Sequence, residues 1–210
     1  MFHRSLLLIS ASFFIGWPAL CNTIDLITVN TSSVLGDAGS LDFQFDPGPL
    51  LSEPATLQIL SFASNGTLSP PAFPTGDVTG TLPGTLSFDN LTAFNDYFED
   101  FRYGSTLSFE VSISSAAGGT SGSAFGFSMF SDAAGTIPAL TTDTTNGFAA
   151  IIGVNTDGST TVTDFSPQTA VTPATGSAPE PGGMALLGTA AALLGTLRLW
   201  RKPRVHHFWP

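Results

Sequence analysis

A chain of 210 residues with 16 acidic side chains, six lysines and arginines and one cysteine repels nucleic acid and anionic lipid and has no disulfide framework. Between residues 22 and 177 lie 15 of those acids and one base, Arg102, a net charge of −14 with no lysine, histidine or cysteine. That composition excludes a Ser-His-Asp triad, a Cys-His pair, a Schiff-base lysine and a histidine-bound zinc or iron in this stretch, since each needs a residue it lacks.

Residues 1–21 read as a secretory signal peptide: Arg4 supplies the positive start, 6–17 is apolar, and small residues stand near the exit. Cleavage after Cys21 puts Ala19 three places before the cut and leaves a mature chain without cysteine. A rival reading makes Cys21 the lipid-modified first residue of a lipoprotein, although Leu20 stands where that signal wants a small residue. With a second topogenic segment at the other end, the expected compartment is the periplasm or the cell exterior.

From 22 to 166 the pattern changes to short alternating segments separated by Gly, Pro, Asn and Asp, the period-two signal of half-buried strands. Strands are expected at 24–29 and at 41–45, where Leu41, Phe43 and Phe45 share one face and Asp42 and Gln44 the other; Asp46-Pro47-Gly48-Pro49 then stops the pairing. A strand at 55–62 leads to Asn65-Gly66, which turns the chain as in a hairpin. The proline-bearing stretch 69–83 reads as an edge or a long loop, and 84–88 as a strand. In 91–101, Phe94, Tyr97, Phe98 and Phe101 stand at helical spacing, so a short helix or covering loop is expected, with Asn90 as N-cap. The alternation is cleanest at 106–113, where Leu107, Phe109, Val111 and Ile113 face one side and Ser108, Glu110 and Ser112 the other. After a Gly-rich loop at 116–123 come a strand at 124–130, a central strand at 148–154 that is apolar on both faces, and its hairpin partner at 160–165 beyond Asn155-Thr156-Asp157-Gly158. The expected fold class is therefore all-β, an antiparallel β-sandwich of jelly-roll type with about eight strands. Residues 167–178, rich in Thr, Ser, Pro and Gly, read as a linker.

Only carboxylate chemistry remains open to this domain. Glu53, Glu99 and Glu110 are its only glutamates and the candidates for a glycosidase pair, but no aromatic-flanked motif surrounds them; solubilising charge is the plainer reading, and a non-enzymatic domain is expected. Calcium is the other use for clustered acids. The candidates are Asp96, Glu99 and Asp100, then Asp37, Asp42 and Asp46, and the Asp157 turn, none with the spacing of a dedicated calcium loop. Sequons stand at Asn30, Asn65 and Asn90.

The tail carries the most specific pattern. Pro179-Glu180-Pro181 precedes an apolar run at 182–197, which meets the basic stop Arg198, Arg201, Lys202 and Arg204. Sixteen helical residues at ~1.5 Å each cover roughly 24 Å, and with Arg198 snorkelling and the span carried to Trp200 the segment reaches the ~30 Å hydrocarbon thickness of a bilayer. Basic residues lie on the side the positive-inside rule requires for an exported middle.

This tripeptide, span and basic stop resemble the PEP-CTERM sorting signal of Gram-negative bacteria. The middle resembles the body of one PEP-CTERM subfamily, through Ser87-Phe88-Asp89-Asn90, Ala93-Phe94-Asn95-Asp96-Tyr97-Phe98, and Asn155-Thr156-Asp157-Gly158 with Thr160-Thr161-Val162-Thr163. The resemblance implies that an integral-membrane protease of the exosortase type reads Pro179, Glu180 and Pro181. It also implies that the precursor sits transiently in the inner membrane before reaching the cell surface or exterior, where it joins a polysaccharide layer or biofilm. The alternative is a lectin-like carbohydrate-binding module or adhesin, which calls for a row of exposed Trp or Tyr, yet the domain has no Trp and only Tyr97 and Tyr103. Residues 205–210 extend past the point where the family's signal usually stops, and His206 and His207 are expected to be cytoplasmic overhang.

Overall fold

The computed structural model describes residues 21–50 and 52–174. The signal peptide up to its last residue, the sorting tripeptide, the basic stop and the tail beyond it lie outside those residues. Among the described residues no helix is long and apolar enough to cross a membrane; the segment expected to do so falls outside them.

Period-two patterning produces twelve strands: β1 (Cys21–Asn30), β2 (Ala38–Pro47), β3 (Ala55–Ser64), β4 (Thr67–Thr75), β5 (Val78–Gly80), β6 (Leu86–Asp89), β7 (Asp96–Arg102), β8 (Thr106–Ser115), β9 (Ser123–Phe130), β10 (Phe148–Val154), β11 (Thr160–Asp164) and β12 (Thr169–Pro173). They form two six-stranded sheets, in the orders β12-β1-β8-β3-β6-β5 and β11-β10-β9-β2-β7-β4. Every ladder is antiparallel, and the described residues form an all-β sandwich.

The inner faces are the alternate residues the pleat selects. Ile27 and Val29, Leu57 and Ile59, and Leu107, Phe109, Val111 and Ile113 line the first sheet; Leu41, Phe43 and Phe45, with Phe125, Phe127 and Met129, line the second, and all are buried. Where the two meet, Phe109 packs edge-on to Phe43 at 5.2 Å and to Phe127 at 4.9 Å between ring centroids, the T-shaped geometry that aromatic quadrupoles favour. Phe43 and Phe127 stand 5.1 Å apart in the same sheet. These three rings join β8 to β2 and β9 across the sandwich.

Four sequence expectations are corrected. The stretch expected as helix or covering loop ends in β7, which pairs with β2 and β4; its inward positions are Tyr97, Glu99 and Phe101, and the glutamate hides the alternation from a hydropathy reading. Asn65-Gly66 does not close a hairpin: β3 and β4 belong to different sheets, and the pair carries the chain from one to the other. Asn65 anchors this crossing to the β7–β8 connection, its Oδ1 accepting from the N–H groups of Ser105 (2.8 Å) and Thr106 (3.2 Å). Pairing of β2 runs on to Pro47, opposite Ser123, before the Gly48-Pro49 break. Finally, Thr169–Pro173, expected as linker, is a strand that pairs with β1, from Val29↔Thr169 to Asp25↔Pro173. A threonine-rich edge strand is held by backbone hydrogen bonds, which apolar patterning does not register. The proline-bearing stretch is an edge, as expected: β4 is the last strand of its sheet.

Candidate functional site

The pleat decides what the acids can do together. Of the calcium candidates on β7, Asp96 and Asp100 lie on the outer face and Glu99 on the inner one, where it is 3% exposed. The three therefore do not converge, and the grouping read from sequence is corrected. Among the described residues no group of three or more His, Cys, Asp or Glu side chains could hold a metal ion. Glu99 instead accepts a 2.6 Å hydrogen bond from the Tyr97 hydroxyl, which itself accepts from the Leu82 N–H at 3.0 Å. Burial raises the Glu99 pKa above the usual carboxylate range and the tyrosine bond opposes it. The other two glutamates stand elsewhere: Glu110 on the outer face of β8, accepting from the Ser61 hydroxyl at 3.2 Å, and Glu53 ahead of β3.

The acids that do meet come from neighbouring strands. Register places Gln44 opposite Asp96 and Asp42 opposite Phe98, so Asp42 and Asp96 are diagonal neighbours on the outer face of the second sheet. An outer face is normally wet, yet Asp42 is only 7% exposed and Ser40 fully buried. The β9–β10 connection covers them. Its Asp132 carbonyl accepts from the Ser40 hydroxyl at 2.9 Å, Gly135 abuts the ring of Phe98, and Phe148 lies over the space a side chain at Gly126 would occupy. The connection is held in shape by Asp132, whose carboxylate accepts from the N–H and hydroxyl of Thr136 and the N–H of Ile137, and by Asp143, which accepts from the N–H groups of Thr145 and Asn146.

Asp42 Oδ2 accepts from Gln44 Nε2 at 2.9 Å. Asp42 Oδ1 and Asp96 Oδ1 are buried and receive nothing from any N–H or O–H. Burial pushes the Asp42 pKa up to about 9, reinforced by its bond to Asp96 and by the charges of Asp96 and Asp46 and opposed by Gln44. A proton held by Asp42 and shared with Asp96 supplies the missing donor. Burial also raises Asp96 and Asp46. Asp42 is thus a neutral acid at pH 7, enclosed beneath the connection, where it ties β2 to β7.

A hollow of about 450 Å³ opens on the other sheet, over the outer face of β3, β6 and β5. Thr56, Gln58, Thr79 and Ser87 bring hydroxyls and an amide to it, and Asp77 and Asp89 bring carboxylates. Chemically it can exchange hydrogen bonds with a polyhydroxylated group; no cationic side chain lines it, and its one aromatic, Phe88, is 2% exposed. Sequence reading did not identify this hollow; its signal is the run of small polar residues on alternate positions of β3 and β6. Tyr97 and Tyr103, the only Tyr or Trp residues among the described ones, are 0% and 2% exposed.

The residues that carry the family resemblance build the frame. Asn90 is no N-cap: its Oδ1 accepts from the Ala55 N–H (2.8 Å) while its Nδ2 donates to the Glu53 carbonyl (2.8 Å) and the Ser123 hydroxyl (2.9 Å). Fully buried Asn95 donates to the carbonyls of Phe45 (2.9 Å) and Thr92 (3.1 Å), and its Oδ1 accepts from the Asp77 N–H (2.8 Å) and the Thr92 hydroxyl. The Asp157 carboxylate accepts from the N–H and hydroxyl of Ser159, closing the β10–β11 turn. Of the sequons, Asn65 and Asn90 have their side-chain amides committed to protein partners.

The chain matches no family model, no curated protein and no solved structure.

Proposed function

We propose that this chain is an exported, non-enzymatic surface or extracellular-matrix protein, processed and sorted through Pro179-Glu180-Pro181 by an exosortase-type membrane protease and associated with exopolysaccharide or biofilm. The observation that carries the reading is the order of the tail: tripeptide, apolar run, then Arg198, Arg201, Lys202 and Arg204. The fold supports it in one respect. Antiparallel pairing of β1 with β12 puts Cys21 and Ala174 at one pole, where the Ala174 N–H donates to the Ile24 carbonyl at 2.8 Å, so both topogenic segments attach on the same side of the sandwich. The jelly-roll reading belongs here too. The neighbours β1-β8-β3-β6 and β2-β7-β4 are those that eight strands wound as a jelly roll make, with β5 beside β6 and β9 to β12 added at the β2 and β1 edges.

A second reading, a carbohydrate-binding module or adhesin, draws support from the hydroxyl-lined hollow over β3, β5 and β6, and a glycan array probed with the exported protein separates it from the first. The sorting reading is tested by mass. In cells with the sorting machinery the wild-type protein loses about three kilodaltons, roughly thirty residues at ~110 Da each, beyond signal-peptide removal. The variant with Pro179, Glu180 and Pro181 all replaced by alanine keeps that mass and fractionates with membranes. Surface-exposed wild-type protein that retains residues 206–210 overturns the reading in favour of a plain C-terminal anchor.

A further inference from the structure

The four sheet edges are not protected alike. At the margin of the second sheet β4 carries Pro70, Pro71 and Pro74, which offer no ladder donor. In the first sheet β5 has only three residues and β12 ends in Pro173. The edge strand β11, Thr160-Thr161-Val162-Thr163-Asp164, has neither proline nor lysine and is built of residues that favour strands.

The backbone phase of β11 is fixed by its hairpin. The Asn155 N–H donates to the Ser159 carbonyl and the Phe165 N–H to the Ala149 carbonyl, so odd-numbered residues bond towards β10, and Thr160, Val162 and Asp164 turn their N–H and C=O groups outward. Val162 is paired with Ile152, a core residue, and so lies on the inward face, yet it is 44% exposed. The sandwich is open there, and one further strand would cover it.

We propose that this edge pairs with the same edge of a second copy, by antiparallel addition about a twofold axis at Val162. The strand is its own complement about that point: Val162 meets Val162 of the other copy, Thr161 meets Thr163, and Thr160 meets Asp164. Three hydrogen-bonded pairs form (Thr160–Asp164, Val162–Val162 and Asp164–Thr160), threonines face threonines, and no carboxylate opposes another. The two six-stranded sheets become continuous, and both valines are covered. A five-residue edge is far smaller than a standard interface of ~1,600 Å², so the association is weak and concentration-dependent. Because each copy carries a net charge of −14 between residues 22 and 177, salt strengthens it by screening.

Thiol cross-linking in the full chain, with Cys21→Ser as background, tests the register. Antiparallel partners of a hydrogen-bonded pair stand ~5.5 Å apart between Cα atoms, within disulfide reach. Under mild oxidation Val162→Cys should give a covalent dimer, increasingly so with salt. Thr161→Cys and Thr163→Cys should each stay monomeric alone and cross-link when mixed. The exposed Thr28→Cys on β1 serves as the random-collision control. The proposal is overturned if Val162→Cys dimerises no more than Thr28→Cys, or if Thr161→Cys links to itself as readily as to Thr163→Cys. A monomer in which the Val162→Cys thiol is shielded from a small thiol reagent would place another segment of the same chain on the edge, and also overturns it.

Discussion

Asp42→Asn replaces a carboxylic acid that burial beside Asp96 keeps protonated. The Asp42 pKa is raised to about 9 in the folded protein, against an unfolded value near 4. Between those limits the folded state holds a proton that the unfolded state has released. This contribution is fully present below about pH 4, falls by about 1.4 kcal/mol for each pH unit, and is exhausted above about pH 9. From pH 6 to pH 8 the wild-type protein should therefore lose on the order of 3 kcal/mol through this proton alone, beyond the general repulsion of its other acids. Asparagine mimics the protonated acid: its oxygen accepts from Gln44 Nε2, as Asp42 Oδ2 does at 2.9 Å, and its amide donates to Asp96, with no proton to lose. Asp46, also raised by burial, remains in both proteins, and Asp96 keeps a hydrogen-bond donor beside it in each, the protonated Asp42 in one and the asparagine amide in the other. The assay is urea denaturation at about pH 6, 7 and 8 at fixed ionic strength. The difference in unfolding free energy between variant and wild type should grow in the variant's favour by on the order of 3 kcal/mol over that range, or roughly 5 to 10 °C in melting temperature for a domain of this size. Parallel pH profiles for the two proteins would refute the shared proton and place Asp42 among the ionised acids.

Two further outcomes test the frame. Phe109→Ala empties the position where three rings meet across the sandwich and should cost about 3 to 5 kcal/mol by cavity formation, whereas Ser108→Ala, on the outer face of the same strand, should stay within about 0.5 kcal/mol; equal denaturation midpoints would contradict the register of β8. Asn90→Ala removes three hydrogen bonds that tie β3, the segment ahead of it and β9 and leaves buried partners unpaired, so a loss of about 2 to 4 kcal/mol is expected by urea denaturation, and a loss below about 0.5 kcal/mol would show that the network contributes nothing net.

What the sequence made legible follows from how each strand is buried. β8 could be read residue by residue, because it lies between β1 and β3 with one face inward and one face wet, the situation in which alternation is complete. β7 could not, because an inward position holds Glu99 and an outer one Phe98, each reversing the expected polarity. β12 is held chiefly by backbone bonds to β1 and leaves little hydropathy signal.

The fate of the acids has the same root. Acids close together in sequence suggested a cluster at Asp96, Glu99 and Asp100, but on a strand an odd spacing puts two residues on opposite faces, so Glu99 entered the core and the group dissolved. The acids that meet, Asp42 and Asp96, are brought together by the pairing of β2 with β7, and composition carries no record of that register. Their burial depends in turn on the β9–β10 connection, whose path is set by Asp132 and Asp143 accepting bonds from their own loop. In a domain with one basic side chain, a buried carboxylate has almost no cation to pair with, so it must keep a proton or take hydroxyl and N–H donors. Asp42 does the first and Glu99 the second, while Asp132, Asp143 and Asp157, outside the core, take N–H and hydroxyl donors from their own turns. The acidity that excluded so many chemistries at the level of composition is, in these five residues, material for building the fold.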